Sequence, residues 1–200
     1  MHKFETAWDK VSGKKGGFLD PDTEYKYKSR GIEMINRVQK NPGPLKNLAI
    51  KINQDLPHFW ISESDGIILC GKIDWLEYLQ IEDSVHIIDF KTGKRDEDPD
   101  SLQLPIYHLL VHYCQKRTVS KASYWYLERS DELEEKPLPN LEKAHEQVLK
   151  IAKKIKLHRQ LEKFDCPNGT TGCYACQPFE AIISGQAEFV GENDYKQDVY

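Results

Sequence analysis

Val85-His86-Ile87-Ile88-Asp89-Phe90-Lys91-Thr92-Gly93 is dense in β-branched residues and closes on a turn pair, so it reads as a strand over Val85 to Lys91. Side chains alternate along a strand, which places Asp89 and Lys91 on one face, about 7 Å apart along the backbone, with Phe90 turned away. A carboxylate and an ammonium thus share one surface. Upstream, Gly71-Lys72-Ile73-Asp74-Trp75 sets a second carboxylate inside the otherwise apolar run from Ile67 to Leu79, where an unpaired charge is costly. Asp74 therefore needs a partner or a metal. Two carboxylates converging from neighbouring strands suit a hard, oxygen-seeking ion such as magnesium, and a lysine beside them can position water or balance developing charge. That set of parts suits phosphodiester hydrolysis.

Working outward, Asp20-Pro21 has the form of an N-cap followed by proline at the first helical position. Ile32, Ile35 and Val38 recur at helical spacing until Asn41-Pro42-Gly43-Pro44 stops the helix, giving a helix over 21–40. Before it, residues 1–18 are rich in Lys and Gly without an apolar period and read as a flexible lead-in. Leu48 to Ile52, Phe59 to Ile61 and Ile67 to Leu79 read as a strand meander. The acidic stretch Asp96 to Asp100 reads as an exposed loop. A second helix begins near Asp100 or Ser101, with Leu102, Ile106, Leu109, Leu110 and Tyr113 on one stripe and Pro105 tolerated in its first turns. Val119 to Leu127 is a further strand, and Leu141 to about Leu161 a final helix. The order helix, meander, strand, helix, strand, helix implies an α/β fold with a mixed sheet flanked by helices. Residues 1–200 are expected to form one domain, with 162–200 as a cysteine-rich tail.

Composition narrows the class. With 200 residues, 39% hydrophobic and 30% charged, the chain can bury one sizeable core. No stretch approaches the ~20 apolar residues that a membrane helix requires, so no membrane partner is expected. The start, Met1-His2-Lys3-Phe4, lacks the charged-then-apolar run of a secretory signal, which favours the cytoplasm. The net charge of −4 exerts no global pull on nucleic acid, so such a partner must be met by local basic patches. Lys150, Lys153, Lys154, Lys156 and Arg159 form one such patch on the last helix, although Glu142, Glu146 and Glu162 interrupt it. Lys91, Lys94 and Arg95 form another beside the carboxylates. Tyr124, Trp125 and Tyr126 sit in a strand and read as core.

Gln103 and Tyr107 are four apart on the second helix and so share one of its faces. Gly71-Lys72-Ile73-Asp74, then Ile88-Asp89-Phe90-Lys91-Thr92-Gly93-Lys94, then Gln103-Leu104-Pro105-Ile106-Tyr107 resembles the RecB-like branch of the PD-(D/E)XK nuclease superfamily in order, spacing and flanking residues over 65–127. The branch includes the exonucleases of CRISPR adaptation modules and of helicase–nuclease complexes. The resemblance implies a restriction-endonuclease-like core. It also implies that Asp74, Asp89 and the Phe90 carbonyl hold Mg2+ or Mn2+, that Lys91 is the catalytic lysine, and that Gln103 and Tyr107 are the glutamine–tyrosine motif. By the same resemblance the chain is a metal-dependent DNA nuclease, an exonuclease of repair, recombination or CRISPR adaptation, working beside a helicase or integrase. The alternative is a catalytically inactive nuclease-fold module that binds DNA or protein through a structural metal site. The branch often carries an upstream histidine or glutamate ligand; Glu33, then Glu63, are the candidates here.

Three of the five cysteines, Cys166, Cys173 and Cys176, crowd into the last part of the chain, with glycines and a proline that let the loop fold back. This argues for a metal-binding loop rather than a disulfide framework. The cluster resembles the carboxyl-terminal cysteines of iron–sulfur-bearing RecB-like nucleases, which implies an iron–sulfur cluster or Zn2+ here. A fourth ligand would come from His158, His2, Cys114 or a residue of a longer chain, or there is none and the thiols are free. Cys70 and Cys114 read as small buried hydrophobes.

Overall fold

The computed structural model describes residues 1–166, 168–169 and 172–200. Pro167, Thr170 and Thr171 of the cysteine loop lie outside the described residues. The chain groups into two compact units, one formed by Met1–Ile35 and Glu162–Tyr200, the other by Asn36–Leu161.

The second unit carries the sheet. Its central sheet has β3 (Trp75–Leu79), β4 (Ser84–Lys91), β5 (Thr118–Tyr126) and β6 (Glu134–Lys136) in that spatial order. β4 runs antiparallel to β3 and parallel to β5, and β5 runs antiparallel to β6, so the sheet is mixed. The parallel step requires a crossover, which α3 (Gln103–Cys114) supplies. β4 is buried on both faces for most of its length, as its unbroken apolar run demands. A separate hairpin, β1 (His58–Ser62) with β2 (Ile67–Cys70), packs with α3 and α4 (Leu141–Gln160).

The expected long strand from Ile67 to Leu79 is two strands, because the chain breaks at Gly71–Asp74 between β2 and β3. Gly71 is required there: a Cβ at this position would meet Leu110 Cδ1 at 2.9 Å, and its N–H donates to the Pro57 carbonyl. The stretch Leu48 to Ile52 is not a full strand. It adds to the edge of β3 through one bridge, Ala49 to Glu77, with Tyr78 N–H donating to Leu48 O and Ile50 N–H to Leu76 O.

α3 does not bury a single stripe. Leu104, His108, Leu109, Leu110 and Val111 are all buried, because the sheet covers one side of the helix and α4 with the hairpin covers another. Leu104 and Val111 join Val85, Ile87, Ala122, Tyr124 and Tyr126 in the main core, whereas Leu109 joins Ile61, Ala144 and Val148. α4 starts where Asn140 caps it, its side chain accepting the Lys143 N–H at 3.0 Å. Cys70 is exposed rather than buried, since the hairpin strand alternates and turns it outward; Cys114 is half-buried, its thiol facing the His58 carbonyl.

The first unit begins with a helix. His2–Trp8 form α1, and Trp8 stacks on Phe18, which in turn meets Tyr27 on α2 (Pro21–Lys40). Glu24 ties the segment down by accepting from the Trp8 indole and the Gly13 N–H. Four aromatics, Phe4 among them, do the work that a longer apolar period would do in an ordinary helix. α2 begins as its sequence suggests: both Asp20 oxygens accept from Thr23, and Pro21 occupies the first helical position. The tail contributes α5 (Gln177–Ile183) and the short pair β7 (Gly191–Glu192) and β8 (Asp198–Val199). Among the described residues no helix is long and apolar enough to cross a membrane.

Candidate active site

The carboxyl end of β4 carries the site. Asp89 is only 2% exposed, and its Oδ1 accepts a hydrogen bond from Gln103 Nε2 at 2.9 Å. Its Oδ2 lies 2.9 Å from Lys91 Nζ and accepts from no other group among the described residues. The Lys91 ammonium also meets Glu97 Oε2 at 2.7 Å and donates to Gln103 Oε1, and it sits 4.6 Å above the Tyr124 ring. Gln103 stands at the start of α3, so one amide holds both the carboxylate and the ammonium, while its second N–H faces the Tyr107 hydroxyl at 3.2 Å. The helical spacing of Gln103 and Tyr107 brings them together on the turn that faces β4.

Asp74 is not inside a strand; it occupies the bend that leads into β3 and is exposed. β3 pairs with β4 in the register Trp75 to Ile88, and one further step back along that register sets Asp74 opposite Asp89. Asp74 Oδ2 accepts the Phe90 N–H at 3.0 Å, which fixes the carboxylate at the end of β4. The costly buried charge expected of Asp74 is thus avoided by exposure, and the buried carboxylate is Asp89. Of the two upstream candidates, Glu33 is exposed on α2 within the first unit, and Glu63 is exposed in the β1–β2 turn.

Burial pushes the Asp89 carboxyl up, with the facing Asp74 carboxylate acting the same way and Lys91 opposing both. Burial works against the Lys91 charge, but Glu97 and Asp89 outweigh it and hold the ammonium above its ordinary value. Lys91 is therefore a fixed cation at neutral pH rather than a base. Lys91, with Ser101, holds Glu97 below the usual carboxylate range. Burial pushes the Tyr124 phenol up to about 12, so the ring beneath Lys91 stays neutral. Burial likewise raises Tyr107, which keeps its hydroxyl proton.

Asp74, Asp89 and the main-chain carbonyl of Phe90 are hard oxygen donors, the chemistry a divalent cation such as Mg2+ selects. The buried Asp89 Oδ2, served only by Lys91, is a carboxylate oxygen with capacity for such an ion. Among the described residues no group of three or more His, Cys, Asp or Glu side chains gathers as a ligand set. An ion here would draw its remaining ligands from the main chain, water or phosphate.

One neighbour of Lys91 escapes the sequence reading: Glu97, which reads as part of an exposed acidic loop, is half-buried against the lysine, and an acidic side chain a short turn after Lys91 is the signal for it. Tyr124 is core, as its strand position suggests, and its ring also lies beneath the ammonium. In the tail, Cys173 and Cys176 are in contact, with 3.6 Å between sulfurs. The Cys176 N–H and thiol, with a smaller contribution from Cys166, lower the Cys173 thiol. On α4, two of the expected phosphate-tracking lysines are engaged with the hairpin: Lys153 pairs with Asp65 at 2.7 Å and Lys156 donates to the Asp65 carbonyl.

The family model described as PD-(D/E)XK nuclease superfamily matches residues 7–179. No curated protein and no solved structure matches the chain. The mixed central sheet flanked by helices is the arrangement of a restriction-endonuclease-like core.

Proposed function

Because this chain belongs to the PD-(D/E)XK nuclease superfamily, we propose that it is a metal-dependent nuclease that hydrolyses DNA phosphodiester bonds at Asp74, Asp89 and Lys91. The observation that carries this reading is the 2.9 Å pairing of Asp89 and Lys91 on β4, with Asp74 fixed across from them by the Phe90 N–H.

Asp74, Asp89 and the Phe90 carbonyl would hold Mg2+ or Mn2+, which when bound supplies Lewis acidity toward the phosphoryl oxygen and toward water. The residues of the chain do the rest. Lys91, kept charged by its two carboxylate partners, sits where negative charge accumulates on the phosphate as water attacks in line, and offsets it in a site that excludes much of the solvent. Gln103 orients both partners, accepting from the ammonium and donating to Asp89 Oδ1. Tyr107, neutral and hydrogen-bonded to Gln103, keeps that amide from rotating. Glu97 competes with the substrate phosphate for Lys91 and is displaced as it arrives.

The finer reading follows the motif order of the RecB-like branch: an exonuclease serving repair, recombination or CRISPR adaptation beside a helicase or integrase. In it, Cys166, Cys173 and Cys176 are soft ligands of an iron–sulfur cluster or Zn2+, supported by the contact between the Cys173 and Cys176 sulfurs. Metal analysis of protein purified without oxygen tests the cysteine site; iron- and zinc-free protein would remove it.

Incubation with linear and circular, single-stranded and duplex DNA in Mn2+ tests the enzyme. The wild-type chain is expected to degrade linear DNA and to stop in EDTA, with Asp89→Asn and Lys91→Ala slower by at least about 100-fold. Equal degradation by these variants overturns the reading. DNA binding with no cleavage under either ion assigns the chain instead as an inactive nuclease-fold binding module.

A further inference from the structure

Beside Asp74, the edge segment 49–57 and the approach to β3 enclose an open groove of about 530 Å3. Its walls include Ile50, Ile52, Lys51, Lys72, Ile73 and Asp74. Backbone pairing holds it: Ile50 N–H donates to Leu76 O at 2.9 Å, Tyr78 N–H to Leu48 O at 2.7 Å, and Gly71 N–H to Pro57 O at 3.1 Å. Burial alternates along both segments although neither is a full strand. Ile50, Ile52 and Ile73 pack on the main core, so Lys51 between the first two, and Lys72 and Asp74 on either side of the third, are turned outward and exposed. The same pattern that presents the Asp74 carboxylate therefore presents a cation two residues before it.

Neither Lys51 nor Lys72 pairs with a carboxylate among the described residues, in contrast with Lys153 on α4, which Asp65 neutralises, and Lys91 itself. One further carboxylate, Asp55, lines the groove and would hold a polyanion toward the lysines and away from its own side. Two unneutralised ammonium groups over an apolar floor, ending at a carboxylate of the candidate site, complement a chain of phosphates joined by apolar sugars and base edges.

We propose that this groove is the binding site for the phosphodiester backbone of the nucleic-acid strand that leads to Asp74, with Lys51 and Lys72 each meeting one phosphate. The assignment rests on the nuclease reading for its direction toward Asp74, but the binding itself is measured without cleavage. In EDTA, fluorescence anisotropy with labelled single-stranded and duplex DNA across a salt series reads the number of phosphates neutralised. For the double variant Lys51→Ala/Lys72→Ala, the slope of log K against log salt is expected to fall by about 1.4 on single strands or about 1.8 on duplex. Affinity near physiological salt should weaken by about tenfold. The strand type showing the full decrement identifies the substrate form. Lys51→Arg/Lys72→Arg should restore the slope, and Lys116→Ala/Lys143→Ala, two exposed lysines away from the groove, should leave it unchanged.

An unchanged slope in the Lys51→Ala/Lys72→Ala variant, or an equal decrement in the Lys116→Ala/Lys143→Ala variant, overturns the groove. The two readings fail separately. A wild-type chain that cleaves nothing but binds with a Lys51- and Lys72-dependent slope keeps the groove and loses the nuclease. A double variant that cleaves and binds like wild type loses the groove and keeps the nuclease.

Discussion

Lys91 sits among three oxygen-bearing partners, and the amide of Gln103 is the one that also reaches Asp89. Removing that amide leaves both charges in place but frees their orientation. Gln103→Ala is expected to lower kcat by about 10- to 100-fold, as loss of a supporting hydrogen bond to a metal-site ligand does. Steady-state kinetics beside a thermal melt check that the loss is not one of folding. His108 offers a pH test away from the site. From α3 its Nδ1–H donates to the Pro139 carbonyl at 2.8 Å, and burial, with some help from His112, holds the ring below its ordinary value of 6.5. A histidine with a depressed folded pKa binds fewer protons in the native than in the unfolded state. Stability should therefore be complete above pH 6.5 and fall as the pH drops from there toward the folded value. His108→Asn keeps an N–H donor without a titration; the difference between its melting curve and that of the wild type should vanish at neutral pH and widen on acidification. A gap that stays constant with pH would refute the assignment.

At the scale of elements, the break between β2 and β3 matters most, because it aims Asp74 across at the end of β4. Gly71→Ala drives a methyl against Leu110, which is fully buried, and is expected to destabilise the fold by about 1–3 kcal/mol in urea titration. Loss of the α4 cap in Asn140→Ala should cost about 1 kcal/mol in the same measurement. β4, α2 and α4 were legible because a local period, two or 3.6, runs through each and a cap or turn marks its ends. The Ile67 to Leu79 run was not divided by that reasoning: Ile73 keeps the alternation going through Gly71–Asp74, and the close approach of Leu110, a residue far along the chain, to Gly71 belongs to the fold alone. The buried faces of α3 are hidden for a related reason. Period alone cannot say that a helix is covered on two sides.

For the whole molecule, an ion taken up by Asp74 and Asp89 must stabilise the native chain by mass action. At a Mn2+ concentration of 100 times its Kd the gain is about 2.7 kcal/mol, read as a rise in Tm that Asp74→Asn and Asp89→Asn abolish and EDTA reverses. A rise of equal size in both variants would place the ion elsewhere. By itself the sequence determined α2, α3 and α4, the β4 strand and the shared face of Asp89 and Lys91, because each follows from the stereochemistry of a few consecutive residues. Only tertiary structure decided that Asp74 stands opposite Asp89, that Glu97 and Tyr124 surround Lys91, and that Lys51 and Lys72 border one groove. Those neighbours come from separate segments, and strand register together with core packing brings them together, neither of which is written in any local period.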